Sequence, residues 1–339
     1  MGNRGPTLED VAREAGVSRA TVSRVVNGVR NVAPEIQRAV REAIARTGYA
    51  PNQAARSLVT RRTGAVALVL SATGGSFTAR LFSDPFFGRV VDGVLPVLRA
   101  RAVQPVLLVA ESEPARAQLV EYLRRGGADG ALVVPLDEDD PLPGMLVAAG
   151  LPTVLFGSPR VGVDCGWVDL DNAAGARLAA DHLWAAGRRH LATIAAPATA
   201  PAARWRLDGF TAALAGRGVA DVPVEHGLFT EESGRAAMAR LWRRDQGIDG
   251  VFAANDLMAR GACRFLAERG VAVPDRVAVI GFDDSVAARS AAPPLTTVRQ
   301  PVEEMASAMT RLLLARLDAG TPETGSRVFE PVLVVRESA

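Results

Sequence analysis

From residue 65 onward the chain alternates short apolar runs with amphipathic stretches, and no other feature of the sequence restricts the fold as tightly. Apolar runs occupy residues 65–71, 105–110, 131–135, 153–156, 191–196, 251–254 and 277–282, with a last one at 328–335. Between them, residues 87–101, 115–125, 173–186, 204–215 and 257–269 carry apolar side chains at helical spacing. A run that is apolar throughout predicts a strand buried on both faces, and strands separated by helices predict βαβ units on parallel sheets. So many units predict a core divided into two lobes, with any ligand beyond the carboxyl ends of the strands. At 339 residues, 48% of them hydrophobic and 22% charged, the chain can fill such a core and still carry a further module.

The N-terminal stretch has another texture. Leu8, Val11, Ala12 and Ala15 recur on one helical face, Thr7 can cap that helix with Asp10 answering three residues on, and Gly16 supplies a left-handed stop. A second helix follows, with Ser18 as its cap, Val22, Val25 and Val26 inward, and Arg19, Thr21, Ser23, Arg24 and Asn27 outward. An ordinary helical hairpin shows the same two stripes. Arginines and small hydrogen-bonding side chains near the start of the second helix favour a helix-turn-helix whose second helix enters a major groove. Pro34 opens a third helix, with Ile36, Ala39, Val40, Ala43 and Ile44 as its stripe and Gly48 as its stop. Ala33 stands where a Ser or Thr cap is expected. Residues 49–62 then allow about two turns of helix, too few to persist alone, so order is expected there only against DNA or a second copy.

Charge separates the two textures. Residues 1–62 hold 11 arginines against five acids, a net of +6, whereas the remainder holds 28 against 32, a net of −4. Lysine is absent throughout. A basic module on a mildly acidic body points to a polyanion partner for the module alone. Cys165 and Cys263 lie far apart with no metal-ligand spacing around them, so both are expected as reduced core residues, with no metal and no cofactor. No apolar run approaches the about 18 residues of a membrane span and no apolar signal segment opens the sequence, so the expected location is the cytoplasm.

Several stretches together resemble the LacI/GalR family of bacterial transcriptional regulators. They are the run from Thr7 to Asn27, then Tyr49, Pro51, Asn52, Ala54, Ala55, Arg56, Ser57 and Leu58, then Asp84-Pro85-Phe86-Phe87, Val251-Phe252-Ala253-Ala254-Asn255-Asp256, Gly281-Phe282-Asp283-Asp284, and the segment from Pro293 to Pro301. The match runs in order along nearly the whole chain. It implies an α/β fold in which an all-α helix-turn-helix head (1–48) and a hinge helix (49–62) are joined to a two-lobed, periplasmic-binding-protein-like core of parallel sheets (63–339). The first lobe is expected at about 63–163 plus 299–327, and the second at about 164–298 plus 328–339.

By resemblance, Arg19, Ala20 and Arg24 read bases, with Thr21, Ser23 and Asn27 toward phosphates and Arg30 and Asn31 on the backbone. A guanidinium can bind guanine O6 and N7 in bidentate fashion, which agrees with the arginines, while Ala20 offers only an apolar contact such as a thymine methyl. Thr7, Leu8, Ser18, Tyr49, Asn52, Ala55 and Arg56 complete the expected DNA surface. Leu58 is expected to wedge into a central base step from the minor groove, at a kinking cost offset by added contact. The expected effector contacts are Asp84, Phe86, Phe87, Ser158, Arg204, Trp205, Asn255, Asp283 and Gln300. Carboxylates, amides and guanidinium groups suit pairs of sugar hydroxyls, and an aromatic ring suits the C–H face of a pyranose. Read without the resemblance, Phe86 and Phe87 are open between core and cleft, Asp84 and Asp256 between site and helix cap, and Asp283 and Asp284 between site and turn.

Two departures from the family bear on the effector. Many members carry Asn where Asp84 stands, and many close the strand at 153–156 with Asp-Arg where this chain has Gly157-Ser158. Trp205 offers stacking in place of that pair, or packs on the helix beneath. The function expected is therefore a dimeric, palindrome-binding repressor of carbohydrate genes controlled by a sugar-like effector. The alternatives are a solute-binding protein without DNA function, or a regulator that answers to a nucleobase or another metabolite. An enzyme is disfavoured: residues 71–77 lack a GxGxxG, no GxSxG is present, and His182, His190 and His226 have no nucleophile or metal partner at local spacing.

Overall fold

The computed structural model describes residues 6–26, 32–49, 62–72, 83–319 and 325–339. The chain divides into two units, Met1–Gly64 and Ala65–Ala339.

Among the described residues the first unit holds three helices, α1 (Leu8–Ala15), α2 (Arg19–Val26) and α3 (Pro34–Thr47), around Val11, Ala12, Val22, Val40 and Ala43. Thr7 and Asp10 form a reciprocal capping box on α1, and Gly16 closes it at φ 66°, in the left-handed region that favours glycine. The Ser18 hydroxyl accepts from the Thr21 amide at 3.1 Å and so caps α2. No side chain caps α3, as the alanine at position 33 implies, and Gln37 instead donates its amide to the Val32 carbonyl at 2.9 Å.

The second unit contains β1 (Ala65–Ser71), α4 (Pro85–Ala100), β2 (Gln104–Ala110), α5 (Glu113–Arg124), β3 (Ala131–Pro135), α6 (Leu142–Ala148), β4 (Thr153–Phe156) and β5 (Gly166–Leu170). It continues with α7 (Asn172–Ala185), β6 (Leu191–Ala195), α8 (Pro201–Ala215), β7 (Val224–His226), α9 (Glu231–Arg244), β8 (Gly250–Ala253), α10 (Asp256–Ala267) and β9 (Ala278–Asp283). The remaining elements are α11 (Val286–Arg289), β10 (Thr296–Arg299), α12 (Val302–Ala319), β11 (Ser326–Phe329) and β12 (Val332–Val334). The strands form two six-stranded sheets, in the orders β11-β5-β4-β3-β1-β2 and β12-β10-β9-β8-β6-β7. All neighbours are parallel except β10 and β12, which are antiparallel. β1 is buried at every residue, as a central parallel strand covered on both faces must be.

Three connections carry the chain between the sheets: Asp171 to Asn172, Gln300 to Pro301, and Glu330 to Pro331. They correct the expected lobe limits. β5 pairs with β4 in the first sheet, so the first crossing falls at 171 and not at 164. The single strand expected at 328–335 is two short strands in different sheets, β11 beside β5 and β12 beside β10, because Glu330 and Pro331 interrupt the ladder where the chain changes lobe. The sequence also hid β5, in which Asp169 breaks the apolar run, and α9, whose four arginines and two glutamates mask its buried stripe of Ala237, Met238 and Leu241. No described helix is long and apolar enough to cross a membrane.

Candidate DNA-reading and effector sites

In the head, α2 presents Arg19, Ala20 and Arg24 exposed, with Thr21 and Ser23 half-buried on its flanks. Arg19 Nε lies 3.1 Å from Glu9 Oε1 on α1, an exposed pair that a phosphate or a base edge can displace. The Ser18 hydroxyl is shared with Thr21 Oγ1 at 2.9 Å, and Thr7 donates its hydroxyl to Asp10 Oδ2 at 2.7 Å. Leu8 and Tyr49 are half-buried and pack against the head core. Asn27, Asn31, Asn52, Ala55, Arg56 and Leu58 lie outside the described residues.

In the core, a polar cluster collects beyond the carboxyl ends of β8, β9 and β10, where Asn255, Asp283 and Gln300 stand at successive strand ends. Its centre is Arg206, a residue not among those expected. This side chain is buried, and its guanidinium lies 3.6 Å over the ring of Phe282. Nε donates to Asn172 Oδ1 at 2.8 Å, Nη2 to Gln300 Oε1 at 3.0 Å, and Nη1 to the Ala254 carbonyl at 2.7 Å, with Asp283 Oδ1 at 3.4 Å. Asn172 and Gln300 sit at two of the three crossings, so one guanidinium ties both connections to the strand ends of the second sheet.

Arg204 is placed elsewhere. It reaches Glu138, just past β3 of the first sheet, through both Nη atoms, and Glu138 donates its amide to the Thr199 carbonyl at 2.8 Å. Arg204 therefore stands outside the polar cluster, and Arg206, two residues further along α8, is the arginine within it. The signal was in the sequence: Ala203, Arg206, Phe210 and Leu214 form the buried stripe of α8, and Arg206 is the one charged member of it. Trp205 is 47% exposed, beside the Arg204 guanidinium.

Asp84 caps α4, its Oδ1 accepting from the Phe86 amide at 3.0 Å. Phe86 is half-buried and meets Phe156 edge-on at 5.4 Å between centroids. Phe87 is 3% exposed among Val90, Val94 and the rest of the first-sheet core, which makes it a packing residue. Ser158 is exposed, and its amide donates to Asp169 Oδ2 at 2.9 Å. Asn255 spends its carbonyl on the Met258 amide at the start of α10 and its amino group on the Phe229 carbonyl.

Behind the cluster, Asp256 accepts from the Thr297 hydroxyl at 2.6 Å and the Ser285 amide at 2.7 Å. Burial pushes its carboxyl up to about 6. Asp283 is pushed up to about 8, chiefly by burial, with Asp256 and Asp84 adding to the rise and Arg206 opposing it. Asp283 and Asp284 both take positive φ, 110° and 50°, a strained strand end of the kind found at ligand clamps. Asp284 is held below the usual carboxylate range by Arg336 and Arg299, against the cost of its burial. Among the described residues no group of His, Cys, Asp and Glu is placed to hold a metal ion, and Cys165 and Cys263 are buried thiols.

Residues 7–52 match the model of the bacterial regulatory proteins of the lacI family, and residues 180–339 match a periplasmic binding protein-like domain. The chain is 46% identical over 340 residues to the HTH-type transcriptional regulator CelR of Thermobifida fusca, across 99% of this chain and 98% of that one. It is 35% identical to the HTH-type transcriptional regulator GalR of Escherichia coli strain K12, across 98% and 95%. Among solved structures, a CelR–cellobiose complex aligns at a TM-score of 0.76 with 44% identity, covering 98% of this chain and all of that one. A lac repressor dimer bound to operator and the anti-inducer ONPF aligns at 0.86 with 26% identity, covering 99% of each. An exported solute-binding protein accounts for the core but not for the head, and the relatives are regulators rather than enzymes. The chain belongs to the lacI family of bacterial regulatory proteins and is a DNA-binding transcriptional regulator.

Proposed function

We propose that this regulator is a cytoplasmic homodimer that represses from a palindromic operator and whose affinity for it is set by a sugar in the core cleft, with cellobiose as that sugar. Carrying this reading is the Arg206 cluster: convergent, buried hydrogen-bonding groups over an aromatic ring at strand ends, which suits the paired hydroxyls of a saccharide. The complex of the 44% identical relative with cellobiose supplies the choice of sugar.

In this reading Arg19, Ala20 and Arg24 meet base edges. Thr7, Leu8, Ser18, Thr21, Ser23, Asn27, Asn31, Tyr49 and Asn52 serve the phosphate backbone, and Leu58, flanked by Ala55 and Arg56, is the minor-groove wedge. Arg206 with Asp84, Phe86, Asn255, Asp283 and Gln300 holds the first sugar ring, while the exposed indole of Trp205 and the rim residue Ser158 are available to a second. The exposed apolar side chains of edge strand β2, Leu107 and Val109, favour burial against a second copy.

Selection of random duplexes by the purified chain, repeated with a panel of sugars, tests both halves. A two-fold symmetric site whose retention changes with cellobiose is expected. Enrichment of no site would sink the proposed operator, and a symmetric site indifferent to every sugar would sink the proposed effector.

A further inference from the structure

Arg89, on α4 in the first lobe, makes contacts that neither the expected DNA surface nor the effector cluster uses. Its side chain is largely buried and grips Glu303, in the first turn of α12, in bidentate fashion, with Nε to Oε1 at 2.6 Å and Nη2 to Oε2 at 2.8 Å. Its other bonds leave its own lobe. Nη1 donates to the main-chain carbonyl of Asp283 at 2.8 Å and Nη2 to the main-chain carbonyl of Gln300 at 2.9 Å.

Those two residues are the same ones whose side chains meet Arg206. Asp283 and Gln300 therefore touch one guanidinium through their side chains and another through their carbonyls. The backbone at Asp283 is also strained, at φ 110°, so the direction of its carbonyl is set by what surrounds it and not by local preference. The lobe that carries Arg89 begins with β1, directly after the segment that joins it to the head.

We propose that Arg89 is the positioning residue that relays occupancy of the effector cleft to the first lobe, through the carbonyls of Asp283 and Gln300. A sugar that competes for the side chains of Asp283 and Gln300 shifts their peptides, and the fork of Arg89 converts that shift into movement of α4 and α12 relative to the second sheet. Coupling of this kind needs an element that both sites bias, and the shared peptides are that element. The inference rests on the cleft being the effector site.

The test compares the full-length wild type with Arg89→Lys and Glu303→Gln. Each is assayed for cellobiose affinity by calorimetry without DNA, and for operator affinity with and without saturating cellobiose, on a duplex recovered by selection. Lysine keeps the charge that faces Glu303 but cannot span two carbonyls. Glutamine at 303 removes the ion pair and leaves both carbonyls to Arg89. Arg89→Lys is expected to bind cellobiose yet to lose most of the roughly 5–150-fold change in operator affinity typical of such coupling, with Glu303→Gln retaining it. Full coupling in Arg89→Lys, or equal loss in both variants, overturns the proposal, because the ion pair or neither contact would then be what matters. If the wild type binds no cellobiose, the choice of sugar fails separately and hydrogen exchange of the unliganded proteins decides. Faster exchange across residues 283–303 in Arg89→Lys but not in Glu303→Gln supports the relay, and identical exchange in all three overturns it.

Discussion

Arg206 lies with its guanidinium carbon 3.6 Å over the ring of Phe282, inside the second lobe and not at the rim. The ring supplies a polarisable floor, while Asn172, Gln300, Asp283 and the Ala254 carbonyl supply the acceptors. A buried guanidinium is tolerated only with such company. Removal of either side of the arrangement leaves the other unpaired in a dry environment.

Arg206→Ala is therefore expected to abolish cellobiose binding and to destabilise the core by about 3–5 kcal/mol, the usual cost of orphaning a buried partner. Arg206→Lys keeps the charge but cannot reach all four acceptors, and should also fail to bind. Urea unfolding monitored by tryptophan fluorescence, together with sugar titration, measures both effects. Unchanged sugar affinity in either variant would remove Arg206 from the site.

Arg204→Ala should behave differently from its neighbour two residues on. The Arg204 and Glu138 pair is open to solvent and joins the lobes at their edge, so its loss is expected to alter stability far less than Arg206→Ala. Parallel titration of the two variants checks this, and equal damage would contradict the placement of Arg204.

Gly175 on α7 faces Phe282 so closely that an added Cβ would stand 2.9 Å from the ring and 3.1 Å from Val298 Cγ1. Gly175→Ala is expected to cost about 1–3 kcal/mol by overpacking and to weaken sugar binding by displacing the floor beneath Arg206. Melting curves and calorimetry report the two effects, and a neutral result would show that α7 can move away without cost.

The raised carboxyl of Asp283 makes stability fall as pH rises. Between the usual carboxylate range and about 8 the folded state keeps a proton that the unfolded chain has already released, so alkaline titration through that window favours unfolding. Asp256, raised to about 6, acts in the same direction over the lower part of the window. Urea midpoints measured from about pH 5 to about pH 9 should decline, and Asp283→Asn should flatten the decline.

In the head, Glu9 pairs with Arg19 across the two helices. Glu9→Gln is expected to raise affinity for any duplex, by removing a negative charge from the surface that meets phosphate. Arg24→Ala should cost about 1–3 kcal/mol on the selected operator while leaving binding to unrelated duplexes much less affected. Fluorescence anisotropy across a salt series separates the two, and equal loss on all sequences would mark Arg24 as a phosphate contact.

Local features of the sequence determined the head and the class of the core. The capping box of Thr7 with Asp10, the turns at Gly16 and Gly48, and runs such as 65–71 each depend on residues close together in the chain, so spacing alone records them. The strand-end positions of Asn255 and Asp283 were legible in the same way, whereas Gln300 follows β10, a strand that no apolar run announced. The apolar stripe of α8 records that Arg206 turns inward, but tertiary structure alone decided that it meets Asn172, Asp283 and Gln300 and that Arg204 meets Glu138. It decided too that β5 joins the first sheet and that Arg89 holds Asp283 and Gln300. The Arg204–Glu138 and Arg89–Gln300 contacts join residues 66 and 211 positions apart, and no local propensity carries the geometry of such a meeting.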